Sequence, residues 1–512
     1  MRGRSRKSVE MKTIKSGNDM NLILTLDAGT TSLKGALFDL SGNMLCSHIH
    51  EYHLERPAPD IVEAEPEIYW SAAKAVIAEI LVQAAVPPES ISALGVTSQG
   101  ETLIVLDKYG KPLRKAIVWL DNRAKAEAEV IKEEFGRELV YHVTGQQDIA
   151  PCWPAAKILW LRDHEPEIFK SAAKFLMLED YLVYRLTGNF ATDHTLNPST
   201  LYYDLVNCCW WRRMLDFIGV TEKQLPVLLN SGEAAGSISV EIGLSRNTVV
   251  TMAPVDQIAA AVGAGNIEPG MITETTGCAL AICATVENPT YDPQMNIGLY
   301  RHAIPGMFVL MPWIPTAGMI LRWFRDEFGN GMDYDTLIES AAKVSPGSGG
   351  LVLLPHFCGM NSPEVNPEAK GVFYGITPAH DKSHFVRAIL ESVAFSLRDN
   401  LELLEKLGIK SGDVTSLGGA ARSKPWLQIK ADVLQRRINI MRCAEATSLG
   451  TAVLAAAGIR AFANIADAVK AMVHPAISVL PRYENKDRYD EAFRQYGILN
   501  RKIFGPDSIN SR

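Results

Sequence analysis

Asn21-Leu22-Ile23-Leu24-Thr25-Leu26-Asp27-Ala28-Gly29-Thr30-Thr31-Ser32 carries the first structural signal in the chain. The apolar run Asn21 to Leu26 has the length and composition of a buried strand. Small and polar residues follow from Asp27 to Ser32. A second apolar run, Lys34 to Leu40, then ends on the turn Ser41-Gly42-Asn43. That order predicts a hairpin-like strand pair with a Gly/Thr-rich tip. Gly29 lets the backbone come close to a ligand. Exposed amides and the hydroxyls of Thr30 and Thr31 can cradle phosphate oxygens, and Lys34 can neutralise them. Asp27 only accepts hydrogen bonds when ionised, so beside a phosphate it needs a cation. Mg2+, reached through water, would supply one. A plain hairpin turn with polar filling fits the same residues.

The unit returns in the second half. A composition break at Gly263-Ala264-Gly265-Asn266-Ile267-Glu268-Pro269-Gly270 is followed by Met271 to Thr273 and then Glu274-Thr275-Thr276-Gly277-Cys278. Two halves that each open on a strand and a Gly/Thr turn predict two similar α/β domains facing one cleft. A third turn, Leu417-Gly418-Gly419-Ala420-Ala421-Arg422-Ser423, lies between a strand and a helix, and its glycines suit close approach of a flat ring or a ribose. Asp256 stands just before the break, ahead of a small-residue helix from Ile258 to Gly265. It reads either as an N-cap or as a carboxylate pointing into the cleft. The expected division is a leader at 1–20, a sugar-binding domain with the catalytic base at 21–265, a nucleotide-binding domain at 266–480, and a C-terminal helix and tail at 481–512.

Composition narrows the class. A chain of 512 residues exceeds one ordinary core. With 47% apolar and 21% charged residues it is globular. The formal net charge of -7 argues against a nucleic-acid partner. The 8 cysteines include no CxxC pair, which predicts reduced thiols in a cytoplasmic enzyme rather than a zinc or disulfide scaffold. Residues 1–20 are basic and lack the apolar core of a signal peptide. No apolar run reaches the roughly 20 residues that span a bilayer, so no membrane partner is expected. His48, His50 and His53 read as a solvated strand face, Trp210-Trp211 as core packing, and the charged C-terminal helix as a solvated face.

Five blocks then carry a family resemblance. TLDAGTTSLKGALFD (25–39), AIVWLDNRA (116–124) and LGGAARSKPWLQIKADV (417–433) resemble conserved blocks of the FGGY carbohydrate kinases. CWPAAKILWLRDH (152–164) follows that family's first signature except at its opening position, and GVFYGITPAHDKSHFVRAILE (371–391) fits the second throughout. The resemblance implies an α/β fold of two actin-, Hsp70- and hexokinase-like (ribonuclease H-like) domains closing over ATP and a sugar. It implies Asp256 as the base that accepts the proton of the attacking hydroxyl and Asp27 as the residue orienting Mg2+. Thr30, Thr31, Lys34, Thr275, Thr276 and Gly277 would hold phosphates, and Gly318, Arg322, Gly418, Gly419 and Ser423 would line the nucleotide site. Domain closure would exclude water, which competes with the sugar as acceptor. A homodimer or homotetramer is compatible with the family.

The sugar side departs from the better-known members. Gln99-Gly100-Glu101-Thr102 falls where glycerol kinase-like sequences carry an Arg-Glu pair. Glu101 is retained, while Gly100 removes a donor fork and opens space. The Met-His pair of typical xylulokinases is absent from this loop. Gln257 beside the base is glycerol kinase-like. Cys152 replaces an aromatic hydroxyl, and Trp153 next to it offers a stacking face or a core anchor. The substrate expected is a pentulose, with an erythritol- or glycerol-type polyol or another ketose or autoinducer-type sugar as alternatives. A catalytically dead sugar sensor and an actin-like filament or chaperone ATPase are disfavoured by the retained Asp27, Asp256 and Thr/Gly turns and by the sugar-loop blocks.

Overall fold

The computed structural model describes residues 21–410 and 412–505. The expected leader at 1–20 and the last residues of the tail lie outside them. The first sheet is built from β1 (Leu22–Ala28), β2 (Ser32–Phe38), β3 (Met44–Glu51), β4 (Ile91–Ser98), β5 (Ala234–Ser237) and β6 (Val249–Met252). Its order is β5-β6-β4-β1-β2-β3. β1 pairs antiparallel with β2 and parallel with β4, and β4 pairs parallel with β6.

The second sheet repeats this plan. It contains β7 (Ile272–Thr276), β8 (Leu280–Val286), β9 (Gly298–Arg301), β10 (Phe308–Met311), β11 (Val414–Leu417), β12 (Ile438–Met441) and β13 (Pro475–Val479). Their order is β9-β10-β8-β7-β11-β12-β13. β7 pairs antiparallel with β8 and parallel with β11, as β1 does with β2 and β4. The central strands are apolar nearly throughout because both faces are covered.

The first turn is tighter than expected. The β1–β2 ladder pairs Asp27 with Lys34 and Ala28 with Leu33, so Asp27 lies within a strand rather than starting a loop. Residues 103–225 add a largely helical lobe with its own core, including α1 (Pro154–His164). Trp210 and Trp211 pack against that core, as expected, with Trp211 edge-on to Phe135. His48 and His50 lie on the outer edge strand β3 and are half-buried and exposed, respectively.

Two helices join the halves. α2 (Asp256–Gly263) crosses α3 (Ala446–Gly458), and Ile258 and Val262 share an apolar cluster with Leu449, Val453 and Ile23 of β1. The approach is close enough to require glycine on both sides. A Cβ on Gly450 would lie 1.9 Å from the Ala259 carbonyl oxygen, and one on Gly263 1.9 Å from that of Ala446.

The C-terminal helix (Lys486–Phe504) differs from its expectation. It buries Tyr489 and Tyr496 in the core of the second domain. Seven residues apart, these rings share one helical face, a stripe that the surrounding charges mask in the sequence. Among the described residues no helix is long and apolar enough to cross a membrane.

Candidate active site

Thr276, Gly277, Gly318, Arg322, Gly419 and Ser423 come together around one cavity of about 370 Å³ in the second domain. Tyr334, Ile338, Ala420 and Trp426 also line it and supply the apolar surface that a flat ring needs; of these only Ala420 was named in the turn read from the sequence. The walls are backbone packed on backbone. A Cβ on Gly318 would lie 2.4 Å from the Gly277 carbonyl oxygen, and Gly418, at φ +78, abuts the Thr276 carbonyl. Cβ atoms on Gly277 and Gly419 would meet nothing within 4 Å, so the backbone at both borders open space, although the Gly277 amide itself donates to the Ala279 carbonyl at 2.9 Å. Ser423 caps the helix Lys424–Leu434, its Oγ accepting from the Trp426 amide.

The threonines are placed differently from expectation. The Thr276 hydroxyl turns inward and donates to Glu274 Oε2 at 2.6 Å, leaving its backbone to face the cavity. Thr275, on the opposite face of β7, is absent from the cavity lining and packs its methyl toward Gly418. Thr30 donates to Gln99 Oε1 at 2.9 Å and accepts from the Trp119 indole at 3.0 Å, so its hydroxyl joins the phosphate-type turn to the sugar-type loop. Thr31 is exposed. Tyr52 rigidifies the turn: its hydroxyl donates to the Gly29 carbonyl and its amide to the Thr31 carbonyl. Lys34 is not free for phosphate in this state. Its ammonium pairs with Glu445 at the start of α3, 411 positions away.

Asp27 feels the charge of Asp256, and Asp256 that of Glu101. Asp256 is the first residue of α2, and Val255 takes the cap position, so the N-cap reading fails. Its Oδ1 accepts the Gln257 amide at 2.6 Å. Asp256 keeps part of its surface open to the cleft, yet enclosure by protein pushes its carboxyl up to about 6; the Gln257 hydrogen bonds oppose this and the Glu101 charge adds to it. Asp27 is pushed up to about 7, first by burial and then by the Asp256 charge, with Lys34 opposing. A buried carboxyl that keeps its proton beside a second acid is chemistry that a divalent cation would reverse, so Asp27 fits the holding of one, whose charge would let it ionise.

Glu101 occupies a left-handed backbone conformation at φ +58. Burial raises its pKa, against a Ser199 hydrogen bond and the Lys157 charge. Lys157 of α1 is fully buried and donates to the carbonyls of Glu101, at 2.8 Å, and Val118, at 3.0 Å. Burial lowers its pKa. Cys152 lies beside this group, its thiol pushed up to about 12 by burial. Trp153 caps α1 and donates its indole N–H to the Asp148 carbonyl at 3.0 Å, partly packed on the lobe core. Gly100 borders open space: a Cβ there would meet only Ser199 Oγ, at 3.7 Å. Gln257 Oε1 is buried without a hydrogen-bond partner among the described residues.

The N-terminal domain of the FGGY family of carbohydrate kinases matches residues 22–263, and its C-terminal domain matches residues 271–459. This chain belongs to the FGGY family of carbohydrate kinases. As a member it is a carbohydrate kinase, a phosphotransferase acting on an alcohol group. The chain is 30% identical to a xylulose kinase of Lactococcus lactis, over 93% of this chain and 95% of that one. It is 30% identical to a gluconokinase of Bacillus subtilis, over 84% and 86%. It is 33% identical to a glycerol kinase of Thermococcus gammatolerans, over 85% and 88%. Among solved structures, a xylulose kinase from Rhodospirillum rubrum superposes with a TM-score of 0.86 at 26% identity, covering 94% of this chain and 98% of that one. FGGY relatives with three different named substrates therefore leave the choice of sugar to the acceptor site.

Proposed function

We propose that this FGGY kinase transfers the terminal phosphoryl group of ATP to a hydroxyl of an uncharged sugar longer than glycerol, with a pentulose as the best fit. One observation carries the reading: the acceptor site is acidic. Asp256 and Glu101 lie within electrostatic reach of each other, and among the described residues no cation offsets Asp256. Lys157, the cation beside Glu101, has its ammonium engaged by two backbone carbonyls. A sugar acid such as gluconate would bring its carboxylate into this field without a counter-charge. Sugar hydroxyls instead donate to both carboxylates. The space beside Gly100 favours a chain longer than three carbons. Retained Glu101 and Gln257 keep a four-carbon polyol as the second reading.

In this scheme Asp256 accepts the proton of the attacking hydroxyl, a step worth roughly 10²–10⁴-fold. Glu101 orients the acceptor by its hydroxyls. The open backbone at Gly277 and Gly419 receives the nucleotide, and the turn at Gly29 to Thr31 faces its phosphates. Asp27 holds Mg2+, which when bound neutralises charge on the phosphates. Lys34 exchanges Glu445 for a phosphate oxygen as the domains close.

An ADP-release screen with MgATP over D-xylulose, D-ribulose, erythritol, glycerol and gluconate tests the reading. Ketopentoses should give the highest kcat/KM, and gluconate about 10²-fold less or lower. Turnover confined to glycerol or to gluconate would overturn it. Asp256→Asn should abolish transfer while leaving ATP binding nearly intact, and full activity in that variant would remove Asp256 from the base role.

A further inference from the structure

Tyr300 belongs to β9, the edge strand of the second domain, yet its hydroxyl donates to Gln146 Oε1 of the helical lobe at 3.1 Å. The contact sits on a fixed joint. The Leu299 amide donates to the Gly145 carbonyl at 2.8 Å, Tyr141 donates to the Ile297 carbonyl at 2.8 Å, and Arg137 to the Met295 carbonyl at 2.7 Å. Gly145 needs to be glycine there, since at φ +78 its Cβ would lie 2.1 Å from the Leu299 carbonyl oxygen. Tyr300 therefore keeps its position beside the lobe.

What surrounds Tyr300 is the acceptor site. Tyr300 and Val255 pack against the apolar cluster that contains Cys283, and the Cys283 thiol donates to the carbonyl of Gln257, the residue after Asp256, at 3.8 Å; burial and the Glu101 charge both raise the Tyr300 hydroxyl's pKa. Gln146 is 2% exposed; its backbone amide donates to Thr144 Oγ1, while its side-chain Nε2 is buried without a hydrogen-bond partner among the described residues. A buried, unpaired donor is costly, and an acceptor oxygen arriving from a ligand removes that cost. The Tyr300 oxygen donates to Gln146 and can still accept. A donor beside an acceptor matches a hydroxyl, which can use both. A carboxylate could use only the donor and would face Glu101.

We infer that Tyr300 and Gln146 form the wall that reads a hydroxyl on the sugar carbons remote from Asp256, and so set acceptor chain length. This rests on the acceptor site proposed above. The two residues come from opposite sides of the domain boundary and select substrate through a pair assembled before any sugar binds, so little ordering cost is incurred on binding.

The test compares wild type, Tyr300→Phe and Gln146→Glu on glycerol, erythritol and D-xylulose, with ATP varied separately. Both substitutions nearly preserve size, and thermal unfolding checks that each variant folds. Tyr300→Phe should lower kcat/KM for the five-carbon acceptor about 10- to 100-fold through KM, the worth of a hydrogen bond lost in a closed site. Glycerol kcat/KM and the KM for ATP should stay unchanged. Gln146→Glu, which replaces the donor by an acceptor, should reproduce that pattern. Equal losses on every acceptor would assign a structural role and overturn the inference, as would no loss on the longest one. A wild type inactive on all neutral acceptors would instead bring down the parent reading, and this inference with it.

Discussion

Lys430 and Glu274 form an ion pair at 2.6 Å with neither side chain exposed to solvent, directly beneath the Thr276-Gly277 turn. Lys430 also donates to the Thr276 hydroxyl at 2.8 Å, and Ser416 of β11 donates to the same carboxylate. Four side chains thus lock the turn to β11 and to the helix Lys424–Leu434. The turn can then present its backbone to the nucleotide cavity without adjusting its own hydrogen bonds.

Removing one member strands the other. Lys430→Met should cost about 3–5 kcal/mol, because Glu274 would remain buried and uncompensated. Urea denaturation of the two proteins measures the difference. The double variant Lys430→Met/Glu274→Leu should recover part of it, since a packed apolar pair carries no desolvation penalty. A single variant as stable as wild type would mean that the pair is not sealed.

Activity and apo stability should move in opposite directions with pH. In its proposed role as base, Asp256 works only when ionised, and its carboxyl is pushed up to about 6. kcat/KM should therefore fall about tenfold per pH unit below about 6. The stability effect has the other sign. A carboxyl whose folded pKa lies above its unfolded value stabilises the native state at low pH and loses that contribution as pH rises from about 4 through about 6. Asp193, pushed up to about 6, and Asp180, up to about 7, add to the trend. Asp256→Asn, which fixes the neutral form, should then raise the Tm of the ligand-free enzyme at pH 7.5 while abolishing turnover. A lower Tm in that variant would contradict the burial argument.

The repeated strand-turn-strand plan was legible in the sequence because buried parallel strands leave continuous apolar runs, and glycine and threonine mark where they end. Gly277 and Gly419 were legible for the same reason, whereas Gly318, at the start of a helix, was legible only through the family resemblance. What the sequence hid depends on register and on distance along the chain. Strand alternation turns Thr276 inward and Thr275 outward, which a turn motif does not encode. Lys34 finds Glu445 across 411 positions, and Tyr300 finds Gln146 across 154. Trp119 sits inside a recognised block, yet its indole acquires meaning only when β1 brings Thr30 beside it. Lys157 reads as an ordinary signature lysine until its complete burial shows what it holds.

Filling the space beside Gly100 should reshape selectivity. A side chain there meets only Ser199 on the way in, so Gly100→Arg can extend its guanidinium toward Glu101 and pair with it. That would occupy the volume open to a longer sugar. kcat/KM for a five-carbon acceptor should fall about 10²-fold, with a smaller loss on glycerol. Steady-state kinetics on both acceptors decides the point, and proportional losses on the two would remove the space argument.

The α2–α3 crossing offers the sharpest test of how the base is placed. α2 begins with Asp256, and α3 begins one residue after Glu445, the partner of Lys34. The glycine pair that lets these helices touch therefore fixes the spacing between the base and the cationic side of the phosphate turn. A methyl group on Gly450 cannot fit 1.9 Å from a carbonyl oxygen, so the helices must part. Overpacking of this kind costs about 1–3 kcal/mol, and a displacement of about 1 Å at a reacting group costs about 10²-fold in rate. Gly450→Ala should thus lower kcat about 10²-fold while the KM for ATP changes little, because the nucleotide cavity lies in the second domain. Gly412→Ala, where an added Cβ meets nothing within 4 Å, is the control and should behave as wild type. If Gly450→Ala keeps full kcat, the crossing does not set the position of Asp256.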